Sequence, residues 1–255
     1  MHGVVVGCFA LLGWLGAPAA SAAEIRVLTA GAFKPVVAAA APDFEKRTGN
    51  TVVVVNDTVG ALVRRIAAGE AFDVAVLTPE AVAGLGGAGK VISGSSVSLA
   101  RVGIGVAVKD GAPAPDIGTV VAFTRALLTA RTVAYVDPAS GGSSGVYLAQ
   151  LFERLGISDR IGPKAVLVPG GLVATRVVSG EADLALHQIS EILAVPGARL
   201  VGPIPAELQS YTIYQGAIGA MVRDKDAAGA FLQDLAGDKA TAALKEKGME
   251  VVPSD

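Results

Sequence analysis

A serine- and glycine-rich loop between a predicted strand and a predicted helix holds the residues best suited to binding chemistry. The segment Asp137–Gly156 reads DPASGGSSGVYLAQLFERLG and follows the apolar run 132–136. Its glycines let the backbone approach a ligand closely, and its serines offer hydroxyl donors where the helix begins. Free amides and the positive end of the helix dipole would face the same point. The loop is therefore predicted to hold an anion, with an ordinary helix cap as the alternative.

The same loop does not fit the patterns that bind nucleotides. It lacks the lysine of G-x-x-x-x-G-K-[ST] and the spacing of G-x-G-x-x-G. The sequence has no His, Asp and Glu at metal-ligand spacing, and the loop serines have no partners for a Ser-His-Asp triad. We therefore expect no cofactor, no metal and no hydrolysis.

Three side chains elsewhere in the sequence could carry a proton. His187 is the only histidine after residue 23 and lies in the apolar run 184–188. Its unperturbed pKa near neutrality makes it the favoured candidate, and a buried structural role is the alternative. Lys34 and Asp57 lie in turns that precede predicted helices, where Asp57 is equally well explained as a helix cap.

Strand-like and helix-like segments alternate along the chain, which predicts α/β architecture. The predicted strands cover 24–30, 51–55, 72–77, 99–108, 132–136, 164–168, 184–188 and 211–221. Four turns each follow a strand and open a helix, at Ala30–Lys34, Asp57–Ala61, Ser140–Gly145 and Pro169–Leu172. In open α/β sheets this edge is where ligands bind, so the four turns are predicted to meet at one site.

Composition and charge narrow the class of partner. The 255 residues are 52% hydrophobic, and 21 basic against 23 acidic residues give a net charge of −2. No basic run suits nucleic acid or an anionic membrane surface, so a small solute or a protein is the expected partner. Residues 1–23 combine an apolar run with small-residue cleavage options and are predicted to be a signal peptide that directs the chain to the periplasm.

Several motifs resemble the periplasmic molybdate-binding proteins, within the type II solute-binding proteins of ABC transporters. They are Ile25–Ala30, Leu62–Ile66 with Gly69 and Asp73, Asp137-Pro138 with Gly145 and Tyr147, and Lys245–Met249. The resemblance implies two lobes, each a mixed, mostly parallel sheet flanked by helices, joined by two crossing strands near 101–108 and 211–221. It places residues 24–103 and 216–255 in the first lobe and residues 104–215 in the second.

The family's oxyanion site uses neutral donors, and the resemblance carries these onto specific positions here. The first serine falls on Ala32, the second within Thr58, Val59 and Gly60, and the central loop supplies Ser143 and Ser144. The fourth turn falls on Gly170 and Gly171, and the family's tyrosine falls on Gln188. Two of three side-chain donors have changed, so a carboxylate-bearing solute is expected rather than molybdate.

Two functions follow as hypotheses. The first is the monomeric periplasmic solute-binding subunit of an ABC importer, which holds a small anion between its lobes and docks on the transporter's membrane subunits. The alternative is an isomerase that interconverts cis- and trans-aconitate by a proton shift without a cofactor. It is suggested because DPASGGSSGVY and LHQIS are similar to a periplasmic aconitate isomerase of the same fold. Under this alternative His187, Lys34 or Asp57 would carry the proton.

Overall fold

The computed structural model describes residues 22–252, with Lys239 described by its backbone alone. Apart from Ala22 and Ala23, the predicted signal peptide lies outside the described residues. Between residues 22 and 252, none of the helices combines the length and apolar character needed to cross a membrane.

Residues 22–252 form ten strands and ten α-helices, which alternate over most of this part of the chain. The strands are β1 (Glu24–Ala30), β2 (Thr51–Asp57), β3 (Val74–Leu77), β4 (Val97–Val102), β5 (Ile104–Lys109), β6 (Val133–Val136), β7 (Ala165–Val168), β8 (Leu184–Gln188), β9 (Ala198–Pro203) and β10 (Thr212–Ile218). The helices are α1 (Lys34–Thr48), α2 (Val59–Ala67), α3 (Pro79–Gly87), α4 (Val120–Thr129), α5 (Ser143–Arg154), α6 (Ser158–Ile161), α7 (Thr175–Ser179), α8 (Ile189–Leu193), α9 (Lys225–Ala236) and α10 (Asp238–Glu246).

The strands form two five-stranded sheets, one in each lobe. The first has the order β2-β1-β3-β10-β4 and the second the order β7-β6-β8-β5-β9. In each sheet four strands run one way, while β10 in the first and β5 in the second run the other way. The reversed strand is in each case the one that the chain enters directly after crossing from the other lobe. The predicted α/β fold, with two mixed and mostly parallel sheets, is confirmed.

The two crossings lie next to each other and are tied by one side chain. The predicted strand 99–108 breaks at Gly103, which separates β4 from β5, and the return crossing covers residues 204–211. Oε1 of Gln209, on the return crossing, accepts from the amide of Ile104 at 2.8 Å, and its Nε2 donates to the carbonyl of the same residue at 2.9 Å. The lobe boundary expected at 215/216 falls inside β10, which pairs with β4 from Thr212 onward.

Both sheets are covered by apolar side chains on both faces. In the first lobe, Phe33, Phe44 and Phe231 pack on one face, and Leu62, Ile66 and Leu85 pack on the other. In the second lobe the two faces are covered by Phe123 and Phe152 and by Val173, Val177 and Ile192. This explains the nearly continuous apolar runs in the strands, because a strand buried on both faces has no polar side.

Candidate active site

The cleft between the lobes is lined by the turns that follow β1, β2, β6 and β7 and by the end of β8. The lining residues are Ala30, Gly31, Asn56, Asp57, Thr58, Val59, Val136, Gly142, Ser143, Ser144, Gly170, Gly171, His187, Gln188, Glu191 and Tyr214. All four turns predicted from the sequence contribute to this lining. The carboxyl edges of two separate sheets therefore face one enclosed space.

The lobes touch each other at the start of α2. The hydroxyl of Thr58 donates to the carbonyl of Ser140 at 2.8 Å, and the amide of Gly60 donates to the carbonyl of Gly141 at 3.2 Å. The space left in the cleft is about 40 Å³, close to the ~30 Å³ that one water molecule takes up in the liquid. A larger ligand therefore needs the lobes to separate before it can enter.

The start of α5 provides free hydrogen-bond donors. The residue before the helix is Gly142, which has no side chain to cap it, whereas α2 is capped by Thr58. Within the described residues, neither the backbone amides nor the hydroxyls of Ser143 and Ser144 have an acceptor. A Cβ on Gly145 would lie 2.3 Å from the carbonyl oxygen of Val136, so glycine is required for α5 to begin this close to β6. This end of the cleft can receive an anion.

A buried pair, His187 and Glu191, lies at another part of the cleft. Nε2 of His187 is 3.1 Å from Oε2 of Glu191, and the two side chains are 2% and 9% exposed. Nδ1 of His187 is buried and has no hydrogen-bond partner within the described part of the chain. His187 lies near the end of β8, and Glu191 lies in the short helix α8, four residues later in the sequence.

Burial sets the protonation of this pair. It raises the pKa of Glu191 to about 8 and lowers the pKa of His187, because both charged forms lose their hydration. At neutral pH Glu191 therefore donates its proton to Nε2, and the neutral imidazole carries its own proton on Nδ1. Loss of one proton from the pair leaves Nδ1 bare, so the pair can act as a donor or as a base.

A glycine in the first lobe makes room for this carboxyl group. A Cβ on Gly31 would lie 2.5 Å from Oε1 of Glu191. Beside it, the hydroxyl of Ser190 donates to the carbonyl of Ala32 at 2.9 Å. Helix α8 thus belongs to the second lobe by sequence and packs on the first, so the His187–Glu191 pair lies where the lobes meet.

Gln188 also joins the two lobes. Its Oε1 accepts from the hydroxyl of Tyr214 at 3.0 Å, and its Nε2 donates to the hydroxyl of Thr212 at 3.0 Å. Burial, together with the nearby Glu191 carboxyl, raises the pKa of Tyr214, so its hydroxyl stays protonated. The tyrosine position that the resemblance carries onto Gln188 has no hydroxyl, as the sequence indicates, but Tyr214 brings a hydroxyl to the cleft from the other lobe.

The cleft has no basic side chain other than His187 among its lining residues. Asp57 lines it, with Oδ1 accepting from the amide of Thr58 at 2.8 Å and Oδ2 lying 3.3 Å from Nη1 of Arg65. Within residues 22–252, no group of three His, Cys, Asp or Glu side chains is placed to hold a metal ion. An anion in this cleft would be held by neutral donors.

The structure places the predicted site residues in two groups. Those that line the cleft are Asp57, Thr58, Val59, Ser143, Ser144, Gly170, Gly171, His187 and Gln188. Those outside the lining are Ala32, which is buried with its carbonyl engaged by Ser190, Lys34, which is exposed at the start of α1, and Gly60, which lies at the contact between the lobes. The hydroxyl of Thr58 is engaged by Ser140 and is not free for a ligand while the cleft is closed.

Among the cleft residues that were not predicted, Glu191 and Tyr214 bear most on its chemistry. A sequence signal for Glu191 exists, because it is an acidic residue four positions after His187 in the segment LHQISEIL. No comparable signal marks Tyr214, which comes from β10.

Comparisons with known proteins agree with this architecture. A family model described as bacterial extracellular solute-binding protein matches residues 25–250. An aconitate isomerase of Pseudomonas sp. is 37% identical over 236 residues, which cover 90% of this chain and 88% of that protein. The Azotobacter vinelandii periplasmic molybdate-binding protein has a TM-score of 0.77 at 24% identity, covering 91% of this chain and all of that one.

A second solved structure, the sulfate-binding protein SubI from Mycobacterium tuberculosis H37Rv, has a TM-score of 0.71 at 20% identity. That match covers 90% of this chain and 87% of the sulfate-binding protein. At 24% and 20% identity, these two solved structures show that the fold is similar and show nothing about the ligand. The resemblance to molybdate-binding-like periplasmic proteins that the sequence motifs indicated is confirmed.

Proposed function

Since the chain belongs to the bacterial extracellular solute-binding proteins, we propose that its cleft binds a small unsaturated carboxylic acid and isomerises it, with aconitate as the substrate. The observation that carries this proposal is the His187–Glu191 pair, buried in the cleft with Nε2 and Oε2 3.1 Å apart. A protein that only holds an anion needs donors, whereas this pair can also accept a proton.

The proton shift needs no cofactor. With Nδ1 of His187 bare, the imidazole removes a proton from the methylene carbon of aconitate, so that a C–H bond breaks and an N–H bond forms. The electron pair left behind spreads over the three-carbon allylic unit and its carboxylate groups. The imidazole then returns the proton to the other end of that unit, where the N–H bond breaks and a new C–H bond forms, so the double bond moves and the cis and trans acids can interconvert. Glu191 can hold the second proton of the pair, so no buried imidazolium has to persist.

Neutral donors would hold the carboxylates and the developing negative charge. The free amides and hydroxyls of Ser143 and Ser144 lie at the start of α5, and the turn at Gly170 and Gly171 lies beside them in the lining. Such donors stabilise an enolate-like charge without a metal or a cationic side chain, most strongly where water is excluded. The closed lobes supply that exclusion.

Aconitate is proposed as the substrate because of the similar aconitate isomerase. At 37% identity over 90% of this chain, an aconitate isomerase is close enough to make the same acid the first to test. We further propose that the chain works in the periplasm after removal of the predicted signal peptide, as a protein without a cofactor.

The test is incubation of the purified protein with trans-aconitate, followed by chromatography of cis-aconitate. We expect conversion by the unmodified protein and by Lys34→Ala, because Lys34 is exposed outside the cleft lining. His187→Asn and Glu191→Gln should each lower the rate by about 10²- to 10⁴-fold, the range for general acid–base groups. Absence of conversion by the unmodified protein would refute the proposal, and full activity of His187→Asn would remove His187 from it.

The second candidate is the solute-binding subunit of an ABC importer. It is favoured by one observation, the uncapped start of α5 with its free donors facing a closing cleft. In this case the same acids, or an inorganic oxyanion, would be bound and passed to membrane subunits. A ligand present at 100 times its Kd should add about 2.7 kcal/mol to the free energy of unfolding. Stabilisation by carboxylates without any conversion would select this candidate over the isomerase.

A further inference from the structure

Two glycines meet where the lobes touch beside the cleft. They are Gly60, at the start of α2, and Gly141, in the loop before α5. A Cβ on Gly60 would lie 2.9 Å from Cα of Gly141 and 3.1 Å from the carbonyl oxygen of Ser140. The amide of Gly60 donates to the carbonyl of Gly141 at 3.2 Å. The two backbones therefore approach each other as closely as chain atoms allow, with no side chain between them.

Gly60 has no other structural reason to be glycine. It is the second residue of α2 and its φ is not positive, so an alanine would fit the local backbone. Replacing a glycine by alanine where the backbone already fits alanine stabilises a protein, chiefly because it lowers the entropy of the unfolded chain. The case of Gly141 is different, since its φ of 76° favours glycine on its own. Gly60 thus stands at a position where the isolated first lobe would be more stable with a larger residue.

We propose that Gly60 is a positioning residue of the ligand site, which sets how closely the start of α2 approaches the start of α5. Because it admits the backbone of Gly141, the amide of Val59 on one lobe and the donors of Ser143 and Ser144 on the other can reach the same anion. The contact between Gly60 and Gly141 thereby limits the size of the acid around which the lobes can close. This inference rests on the proposed function, because it requires a ligand held between the lobes.

The test compares Gly60→Ala with Gly84→Ala. Gly84 is also a glycine within a helix, α3, and a Cβ there would meet no atom within 4 Å. Calorimetric titration with trans-aconitate, cis-aconitate and molybdate gives Kd, and thermal unfolding without ligand reports stability. Small-angle X-ray scattering reports the decrease in radius of gyration on ligand addition.

We expect Gly84→Ala to unfold at or above the temperature of the unmodified protein, and Gly60→Ala to fold but to lose the contact between the lobes, because its added Cβ meets the backbone of Gly141. Gly60→Ala alone should bind the ligand about ten- to a hundredfold more weakly and should close less in scattering. A Kd for Gly60→Ala within twofold of the unmodified value would overturn the inference and leave the proposed function standing. Failure of the unmodified protein to bind any of the three probes would instead refute the proposed function, and the inference with it.

Discussion

The hydroxyl of Tyr214 donates to Oε1 of Gln188 at 3.0 Å, although the two residues lie in strands of different sheets. The other end of the same amide donates to Thr212, two residues before Tyr214 on β10. Both ends of the Gln188 side chain are thus bound to the first lobe. Gln188 lines the cleft, and the hydrogen bonds of its side chain link the two lobes.

Removal of either partner of this link should destabilise the protein. Tyr214→Phe keeps the ring packed against Phe33, 6.1 Å between centroids, and removes only the hydroxyl. Gln188→Leu removes the amide and leaves the hydroxyl buried. Each change should cost about 1–3 kcal/mol because it leaves a buried polar group unpaired. In urea unfolding, the double variant should be less destabilised than the sum of the two, with a coupling energy of about 0.5–3 kcal/mol. Additive effects would show that the link does not contribute to stability.

The ligand-facing turns could be predicted from the sequence because they depend on local chemistry. A small-residue turn after an apolar strand indicates both a helix start and the carboxyl edge of a sheet, as for Ser143 and Ser144. The strand 184–188 was predicted with its observed bounds, from the short apolar run that precedes His187 and Gln188. The single strand predicted over 99–108 was wrong at Gly103, where the chain leaves one sheet for the other.

The chemistry of the cleft could not be predicted in full because it depends on contacts across the lobes. Tyr214 reaches Gln188 from β10, which enters the first sheet only after the return crossing. Lys34 is the last residue of a predicted ligand-facing turn, but it is also the first residue of α1 and is exposed to solvent. Position along a turn does not tell which side chains face the ligand, and hydrogen bonds such as that from Thr58 to Ser140 decide which hydroxyls are free.

The stability of the protein should fall between about pH 6.5 and pH 8. In this interval the unfolded chain has lost the Glu191 proton, whose ordinary pKa is 4.5, while the folded protein keeps it up to about 8. The folded state then binds more protons, so the free energy of unfolding decreases as pH rises, by about 2 kcal/mol over the interval.

His187 acts in the opposite direction, but only below its ordinary pKa of 6.5, because burial lowers its folded pKa. Between pH 4.5 and 6.5 the two effects therefore offset each other. Urea unfolding across the pH range should show the decline above pH 6.5 in the unmodified protein and not in Glu191→Gln. A decline of equal size in Glu191→Gln would assign it to another group.

Conversion of aconitate and affinity for it should depend on pH in opposite ways. The base form of the His187–Glu191 pair, with Nδ1 bare, becomes populated as pH approaches the raised pKa of Glu191, about 8. The rate of conversion should rise over this range. Affinity for the acid should fall, since the pair gains a negative charge and loses the donor on Nδ1. Initial rates at saturating aconitate, with Kd measured at the same pH values, check both trends. A rate that is flat from pH 6 to 9 would exclude the pair as the base.

Gly31→Ala should separate the carboxyl group of Glu191 from His187 without unfolding the protein. The added Cβ would lie 2.5 Å from Oε1 of Glu191, and that atom is the end of a flexible side chain, so the carboxyl group can move away. The φ of Gly31 is not positive, and alanine therefore fits the backbone. Loss of the 3.1 Å contact should lower conversion by about 100-fold, because a misplacement of about 1 Å has an effect of this size.

The control is Gly86→Ala in α3, where the Cβ would lie at an ordinary 3.8 Å from Val91. Both variants should unfold within about 1 kcal/mol of the unmodified protein, while only Gly31→Ala loses activity and the pH dependence that Glu191 imposes. If Gly31→Ala keeps full activity, the carboxyl group of Glu191 does not have to meet His187 for proton transfer.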